Sequence, residues 1–263
     1  MLIPVDDPRD PRLEPYRAVR ERDLIGRQGR FIAEGEVVLR VLLARSRFRV
    51  ESVLVSEKRA TAGGVLAEVP PRVPVYVVPQ AAMSEVAGFA IHRGLLAVGR
   101  REPMASPAEL LRNAGPVATV LGLVGLANHD NVGGVFRNAA AFGADAVLLD
   151  ETSCDPLYRK AIRVSVGAAL ITPFSRGGTA GDLVGALAAA AFEVVALSPA
   201  GAEPLASYRR APRTALLLGA EGPGLPPALL ARSRTVRIGM AAGFDSLNVA
   251  TASGIALHHV TRT

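Results

Sequence analysis

"VATVLGLVGLANHDNVGGVFRNAAAFG", residues 117–143, begins as a near-continuous apolar run and ends as an amphipathic helix. A run of that kind suits a strand buried on both faces of a parallel sheet. After it, Val132, Val135, Phe136, Ala139 and Phe142 recur at helical spacing, with Asp130 or Asn131 placed to cap the helix. Nucleotide-binding α/β units of the usual kind put G-x-G-x-x-G or G-x-x-x-x-G-K-[ST] at such a turn, and neither pattern occurs here. Arg137 lies off the apolar stripe, amid small and apolar residues. Its neighbours three and four positions away are Gly133, Gly134, Ala140 and Ala141, a smooth floor on which a nucleic-acid backbone could approach closely. Two helix-weakening glycines cost roughly 1 kcal/mol each, which an ordinary surface arginine does not explain.

Outward from this stretch, strand and helix alternate. On the C-terminal side, strands are expected at "AVLLD", "EVVALSP", "TALLLGAE" and "TVRIGM", with helices at "YRKAIRVSVGAAL", "AGDLVGALAAAAF", "PPALLARS" and "DSLNVATASGIALHHV". That order predicts an α/β fold with a parallel sheet covered by helices. On the N-terminal side, "FIAEG", "VESVLVS", "VPVYVVP" and "GLLAVGR" read as strands, and "EVVLRVLLARS", "RATAGGVLAEV" and "QAAMSEVAG" as helices, a smaller α/β domain. Before it, "DPRLEPYRAVRERDLIGRQG" reads as a charged helix with Arg17, Arg20, Arg27 and Arg30 open to solvent or RNA. Prolines and small residues in "REPMASPAELLRNAGP" mark the junction. The expected division is therefore residues 1–101, a linker over 102–115, and a second domain over 116–263.

Composition narrows the class. With 49% hydrophobic residues and no Trp, the core must be packed from Ala, Val and Leu. The one cysteine, Cys154, forbids an internal disulfide and suits a reducing cytoplasm. The first ten residues lack the pattern of a signal peptide, and the apolar run around "LVGALAAAAF" is too short to span a bilayer. Net charge is +6, and only Lys58 and Lys160 among the 30 basic residues are lysine. Arginine dominance fits either a GC-rich genome or guanidinium groups that clamp phosphates. Residues 1–115 carry 18 basic against 14 acidic groups, so most of the excess lies in front. Four histidines, His92, His129, His258 and His259, and one cysteine give no metal-binding spacing.

Two further motifs carry chemistry. In "LLLGAEGPGLPPALL" a buried strand enters a loop whose glycines permit unusual backbone angles. Glu221 stands at the end of that strand, a poor place for an unpaired carboxylate. In "VRIGMAAGFDSLNVATASGIAL" a strand leads to a loop and a helix, with Asp245 or Ser246 as cap and Leu247 and Asn248 in the first turn. Ala250, Ala252, Ser253, Gly254 and Ala256 then let a helix or a flat ligand pack very close.

N-x-G-x-x-x-R-x-A-x-x-F-G, G-x-E-G-x-G-L and S-L-N-V-x-x-A, in that order, resemble the three motifs of the SpoU/TrmH family (SPOUT superfamily) of RNA ribose 2′-O-methyltransferases. "FIAEGEVVLRVLL" and "HRGLLAVGR" resemble that family's L30e-like RNA-binding domain at the N-terminus. The resemblance implies a parallel sheet closed by a deep trefoil knot, S-adenosylmethionine bound in the knot, and a homodimer formed there. It implies a cofactor pocket of Leu197, Ser198, Leu218, Gly219, Glu221, Gly222, Ile238, Met240, Ser246, Leu247 and Asn248. Asn131, Arg137, Glu221, Ser246 and Asn248 match the family's catalytic polar set, and Arg137 is expected to act at the partner subunit's cofactor. The substrate is expected to be RNA, ribosomal rather than transfer RNA, in rRNA processing; a tRNA 2′-O-methyltransferase or a non-catalytic ribosome-assembly factor are the alternatives. A nicotinamide oxidoreductase is disfavoured by the missing glycine fingerprint. One departure is His129, where many relatives have proline.

Overall fold

The structure, a computed structural model, describes residues 2–17, 21–60, 64–88, 91 and 94–262. It contains two compact units: Met1–Pro103 with Leu157–Ile171, and Met104–Pro156 with Thr172–Thr263.

The first unit is built on strands β1 (Leu2–Pro4), β2 (Arg30–Glu34), β3 (Arg49–Ser56), β4 (Val75–Val78) and β5 (Leu95–Arg100), in the order β1-β4-β3-β5-β2. β1, β4 and β3 run parallel, whereas β5 is antiparallel to both β3 and β2. Up to residue 103 its helices are α1 (Glu21–Gln28), α2 (Glu36–Ala44), α3 (Glu57–Ala60) and α4 (Gln80–Ala87). Leu13, Tyr16, Leu54, Met83 and Leu96 share one buried core.

Two expected helices differ among the described residues. The segment 10–29 forms a 3-10 turn at Pro11–Tyr16 and then α1, because Leu13 and Tyr16 are drawn into the core, where the Tyr16 hydroxyl meets Ser52 Oγ at 2.7 Å. Within 59–69 the described residues form only the end of α3 and a 3-10 turn at Gly64–Glu68. Arg17 pairs with Glu14 and Arg30 with Glu51; Arg20, His92 and the side chain of Arg27 lie outside the described residues.

In chain order the rest comprises α5 (Pro107–Asn113), β6 (Ala118–Val124), α6 (His129–Ala141), β7 (Ala146–Leu149), α7 (Arg159–Val164), α8 (Ala168–Ile171), β8 (Phe174–Arg176), α9 (Ala180–Ala189), β9 (Glu193–Leu197), β10 (Glu203–Pro204), β11 (Arg213–Gly219), α10 (Pro227–Leu230), β12 (Arg234–Arg237) and α11 (Val249–Arg262). The second unit's sheet has the order β10-β12-β9-β11-β6-β7-β8, and every neighbouring pair is parallel. β6 is buried along its whole length, as its apolar run predicts. The chain builds outward from β6 to β8, then crosses to the other side and places β9, β11 and β12 there. Short strands β8 and β10 have no counterpart in the reading of the sequence.

Two segments depart from the expected division. The stretch 102–115 contains α5, opened by a capping box between Ser106 and Glu109, and its Leu111 is fully buried in the second unit's core. The helices α7 and α8 belong to the first unit, where Arg159 Nη1 donates to the buried carboxylate of Glu34 at 2.6 Å. They replace a single expected helix. Val166 (φ 54°) and Gly167 (φ 83°) break it in left-handed conformation, and a Cβ on Gly167 would approach Val41 to 3.0 Å.

Candidate active site

Parallel α/β sheets bind ligands beyond the carboxyl ends of their strands. In the second unit a pocket lies there, at the ends of β9 and β11 and beside the chain that follows β12, with about 760 Å³ of space that opens to solvent. Ten of the eleven residues expected to hold a cofactor line it: Leu197, Ser198, Leu218, Gly219, Glu221, Gly222, Ile238, Met240, Ser246 and Leu247. Pro199, Ala220, Gly224, Val249 and Ala252 complete the wall, and the sequence reading missed them. Val249 and Ala252 are one helical turn apart, a spacing that could have pointed to them.

Backbone geometry shapes this wall. Gly219 passes so close to Gly224 that a Cβ would stand 2.4 Å from its carbonyl carbon, so the loop folds back on itself. The Gly224 N–H donates to the Ala220 carbonyl at 3.0 Å, and Gly222 (φ 83°) supplies a left-handed turn. Glu221 projects from this loop and is exposed. Solvent, rather than a buried partner, thus answers the question its position raised. On the opposite wall, the Ser198 N–H donates to the Val236 carbonyl at 3.0 Å, tying the end of β9 to β12.

Asn248, the eleventh residue, stands beside the pocket and joins its three loops. Its Nδ2 donates to Asn131 Oδ1 at 2.8 Å and lies 3.5 Å from Glu221 Oε1. Its Oδ1 accepts from the N–H groups of Ala250 at 2.9 Å and Thr251 at 3.2 Å. Asn248 is therefore the cap of α11, which starts at Val249; Asp245, Ser246 and Leu247 remain in the preceding loop. A similar shift applies to α6. Asn128 caps it by accepting from the Asp130 N–H at 2.8 Å, and Asn131 lies inside the first turn, 4% exposed. Burial of an amide is costly without a partner, and Asn248 is that partner.

Arg137 is not part of this cluster. It is exposed, lies six residues beyond Asn131 on another side of α6, and does not line the pocket. The floor around it differs from the expectation as well. Gly133 is buried, and Gly134 faces α11, where a Cβ would stand 2.6 Å from the Cβ of Ala250. Asn138 Nδ2 donates to the Ala250 carbonyl at 2.6 Å and to Ser253 Oγ at 2.9 Å. The glycines and the small residues of α11 therefore serve helix packing, while Ala140 and Ala141 remain exposed beside Arg137.

Cys154 is buried, and burial followed by the neighbouring Asp155 charge pushes its thiol up to about 12, far from nucleophilic use. His129 is half-buried in the first turn of α6. No cluster of metal-ligating side chains occurs among the described residues, and none of their helices is long and apolar enough to cross a membrane.

Residues 118–258 match the SpoU rRNA Methylase family. A Mycobacterium tuberculosis H37Rv protein, described as an uncharacterized tRNA/rRNA methyltransferase, is 40% identical over 98% of this chain and 91% of its own length. An AdoMet-bound rRNA methyltransferase from Sinorhizobium meliloti has the same fold, with a TM-score of 0.84 at 24% identity over 99% of this chain and 98% of that one. The crystal structure of an RNA 2′-O ribose methyltransferase superposes with a TM-score of 0.79 at 25% identity, over 99% of this chain and 98% of that one. This chain belongs to the SpoU rRNA methylase family.

Proposed function

We propose that the protein transfers a methyl group from S-adenosylmethionine to a ribose 2′-hydroxyl of structured RNA, with ribosomal RNA as the target, in the cytoplasm. The supporting observation is one cluster: Asn131, Glu221 and Asn248, from three separate motifs, meet beside an aliphatic pocket. The pocket suits the cofactor. Leu197, Leu218, Ile238 and Leu247 offer apolar walls for a purine, and a Cβ on Gly222 or Gly224 would stand in open space, so the wall there is bare backbone. When bound, S-adenosylmethionine supplies a methyl group already activated as a sulfonium. In this reading the C-terminal segment is threaded as a trefoil knot around that pocket, and the first unit binds RNA.

The protein's own task is alignment of the hydroxyl, whose proton passes to water reaching the open pocket as the oxygen–methyl bond forms and the sulfur–methyl bond breaks. Alignment contributes on the order of 7–11 kcal/mol in a well-ordered site. Asn248 holds Asn131 and borders Glu221, so the polar rim is fixed before substrate arrives. A guanidinium does not serve as a general base in proteins, so Arg137 has another role. It grips the phosphate beside the target ribose and favours the developing alkoxide. Its absence from the pocket wall of its own chain supports action in a homodimer, at the partner's pocket.

Arg137→Ala is expected to bind S-adenosylmethionine normally by calorimetry and to lose tritium transfer to RNA. Near-normal turnover overturns the assignment. Mixed dimers of Arg137→Ala and Glu221→Ala chains test the shared site: recovery of part of the activity, absent from either variant alone, supports it, and no recovery overturns it.

A further inference from the structure

One buried carboxylate ties the end of β6 to the end of β7. Asp150 follows β7 directly and is 4% exposed. Its Oδ1 accepts from the Gly125 N–H at 3.1 Å, the Ser153 N–H at 2.9 Å and the Ser153 hydroxyl at 2.6 Å. Its Oδ2 accepts from the Thr152 hydroxyl at 2.5 Å. Ser153 is fully buried, and its Oγ accepts in turn from the Leu126 N–H at 3.0 Å. The Leu126 carbonyl is taken by the Cys154 N–H at 2.8 Å. From the end of β8, Arg176 Nε donates to the Ser153 carbonyl at 2.7 Å and its Nη2 to the Glu151 carbonyl at 2.6 Å. A buried carboxylate is costly unless it is hydrogen-bonded, and here four donors meet it.

What the network holds is the loop between β6 and α6. Two residues beyond Leu126, Asn128 caps α6, and three residues further Asn131 accepts from Asn248. The same loop touches the turn that carries Glu221. Gly125 is left-handed (φ 71°), and a Cβ on it would stand 3.3 Å from the Cβ of Ala220, the residue before Glu221. Asp150 and Ser153 do not line the cofactor pocket. Fully satisfied buried networks of this kind rigidify what they touch and select one arrangement.

We propose that Asp150 and Ser153 are positioning residues for methyl transfer, which fix the loop after β6 and through it the place of Asn131 beside Glu221. The proposal rests on the methyl-transfer reading of the site. Neither residue touches the reacting atoms; each acts through the backbone N–H of Gly125 or Leu126. A misplacement of about 1 Å in a catalytic constellation costs on the order of a hundredfold in rate. The role is one of shape rather than charge. Asparagine at 150 keeps an oxygen for the three donors at Oδ1 and presents an amide to Thr152 Oγ1, which can accept.

The test compares the full-length wild type with Asp150→Ala, Ser153→Ala and Asp150→Asn. Arg213→Ala is the control for lost stability: Arg213 opens β11 at the end away from the pocket, where it donates to the carbonyls of Leu111, Ala114 and Gly115. Tritium transfer from S-adenosylmethionine to 16S and 23S ribosomal RNA transcripts and to transfer RNA is measured below the melting temperature of every variant. Calorimetry gives cofactor affinity, and hydrogen exchange follows the peptide over residues 120–132. The two alanine variants should lose roughly tenfold to a hundredfold in kcat. Their cofactor affinity and RNA KM should stay within about threefold of wild type, while exchange over 120–132 quickens. Asp150→Asn should restore most of the rate, and Arg213→Ala should keep it despite a lower melting temperature. Wild-type kcat in both alanine variants overturns the proposal. So does a loss of cofactor affinity in step with kcat, an asparagine variant as slow as alanine, or an equally slow Arg213→Ala. Absence of methyl transfer by the wild type to any RNA sinks the enzymatic reading alone. Exchange then decides the hold on Asn131: quicker exchange over 120–132 in the alanine variants leaves it standing, and unchanged exchange overturns it.

Discussion

The side-chain amide of Asn248 spans 2.8 Å to the carbonyl of Asn131, so the cap of α11 and the first turn of α6 share one hydrogen bond. These residues are 117 positions apart in sequence, and each has a second duty. Asn131 is buried and depends on the bond; Asn248 also caps its own helix. Asn248→Ala removes both functions. Loss of the cap costs about 0.5–2 kcal/mol, and the stranded carbonyl of Asn131 about 1–3 kcal/mol. Melting should fall by several degrees and S-adenosylmethionine affinity should weaken with it. Asn248→Asp separates the two functions: the carboxylate still caps α11 but cannot donate to Asn131 and repels Glu221. Its melting temperature should lie nearer the wild type, with cofactor affinity reduced as in the alanine variant. Equal melting temperatures for the two variants would show that the cap carries none of the stability.

The contact between Gly134 and Ala250 makes a sharper prediction. In an exposed helix, glycine to alanine stabilises by roughly 1 kcal/mol. Here the added methyl would stand 2.6 Å from the Ala250 Cβ, and α6 and α11 must separate. Overpacking of this kind costs about 1–3 kcal/mol, so Gly134→Ala should destabilise. Ala250→Gly in the same chain frees the space, and the pair should be more stable than the sum of the single changes by 0.5 kcal/mol or more in a denaturation cycle. Strict additivity would remove the contact from the account.

Much of the second unit could be read from the sequence because its strands carry their own signal. β6 and β11 are apolar along their length, and the three motifs lie at strand ends where parallel sheets place ligands. The helix caps were misread by a few residues, since Asn, Asp and Ser cluster at both boundaries and only geometry separates the cap from its neighbours. Gly133 and Gly134 suggested an open floor, because sequence does not say which side of a helix another helix will cover. β10 is two residues long and carries no periodic pattern at all. The membership of 157–171 was hidden for another reason. Contacts distant in sequence join it to the first unit, among them Arg159 with Glu34, 125 residues apart, and no local pattern announces them.

That pair can be tested directly. The Glu34 carboxylate is 7% exposed and bonded to Arg159 at 2.6 Å, with Arg163 more distant at 3.8 Å. Arg159→Ala leaves a largely uncompensated buried charge, a loss of about 3–5 kcal/mol where no other cation takes over. Glu34→Gln added to Arg159→Ala removes that charge and should recover at least a third of the lost stability in urea unfolding. A double variant no more stable than Arg159→Ala would mean that Arg163 already neutralises Glu34.

Alkaline pH should weaken the fold through buried groups that keep their protons. Burial, then the Asp155 charge, pushes the Cys154 thiol up to about 12; burial also pushes Tyr208 to about 12, with Glu193 adding to it, and raises Tyr16. In the unfolded chain the thiol ionises near 9 and the phenols near 10. Between those values and about 12 the folded protein binds more protons than the unfolded chain, so stability falls as pH rises through that window. Below pH 8 both states are protonated and these groups make no difference. Melting temperature measured at constant ionic strength should hold steady from these groups up to pH 8 and drop between pH 9 and 11. Cys154→Ala should show a shallower decline beginning near pH 9, where the thiol starts to titrate ahead of the phenols in the unfolded state, and Tyr208→Phe a shallower decline over pH 10–11. A melting temperature that stays level or rises from pH 9 to 11 would mean that these protons are lost as readily from the folded protein as from the open chain.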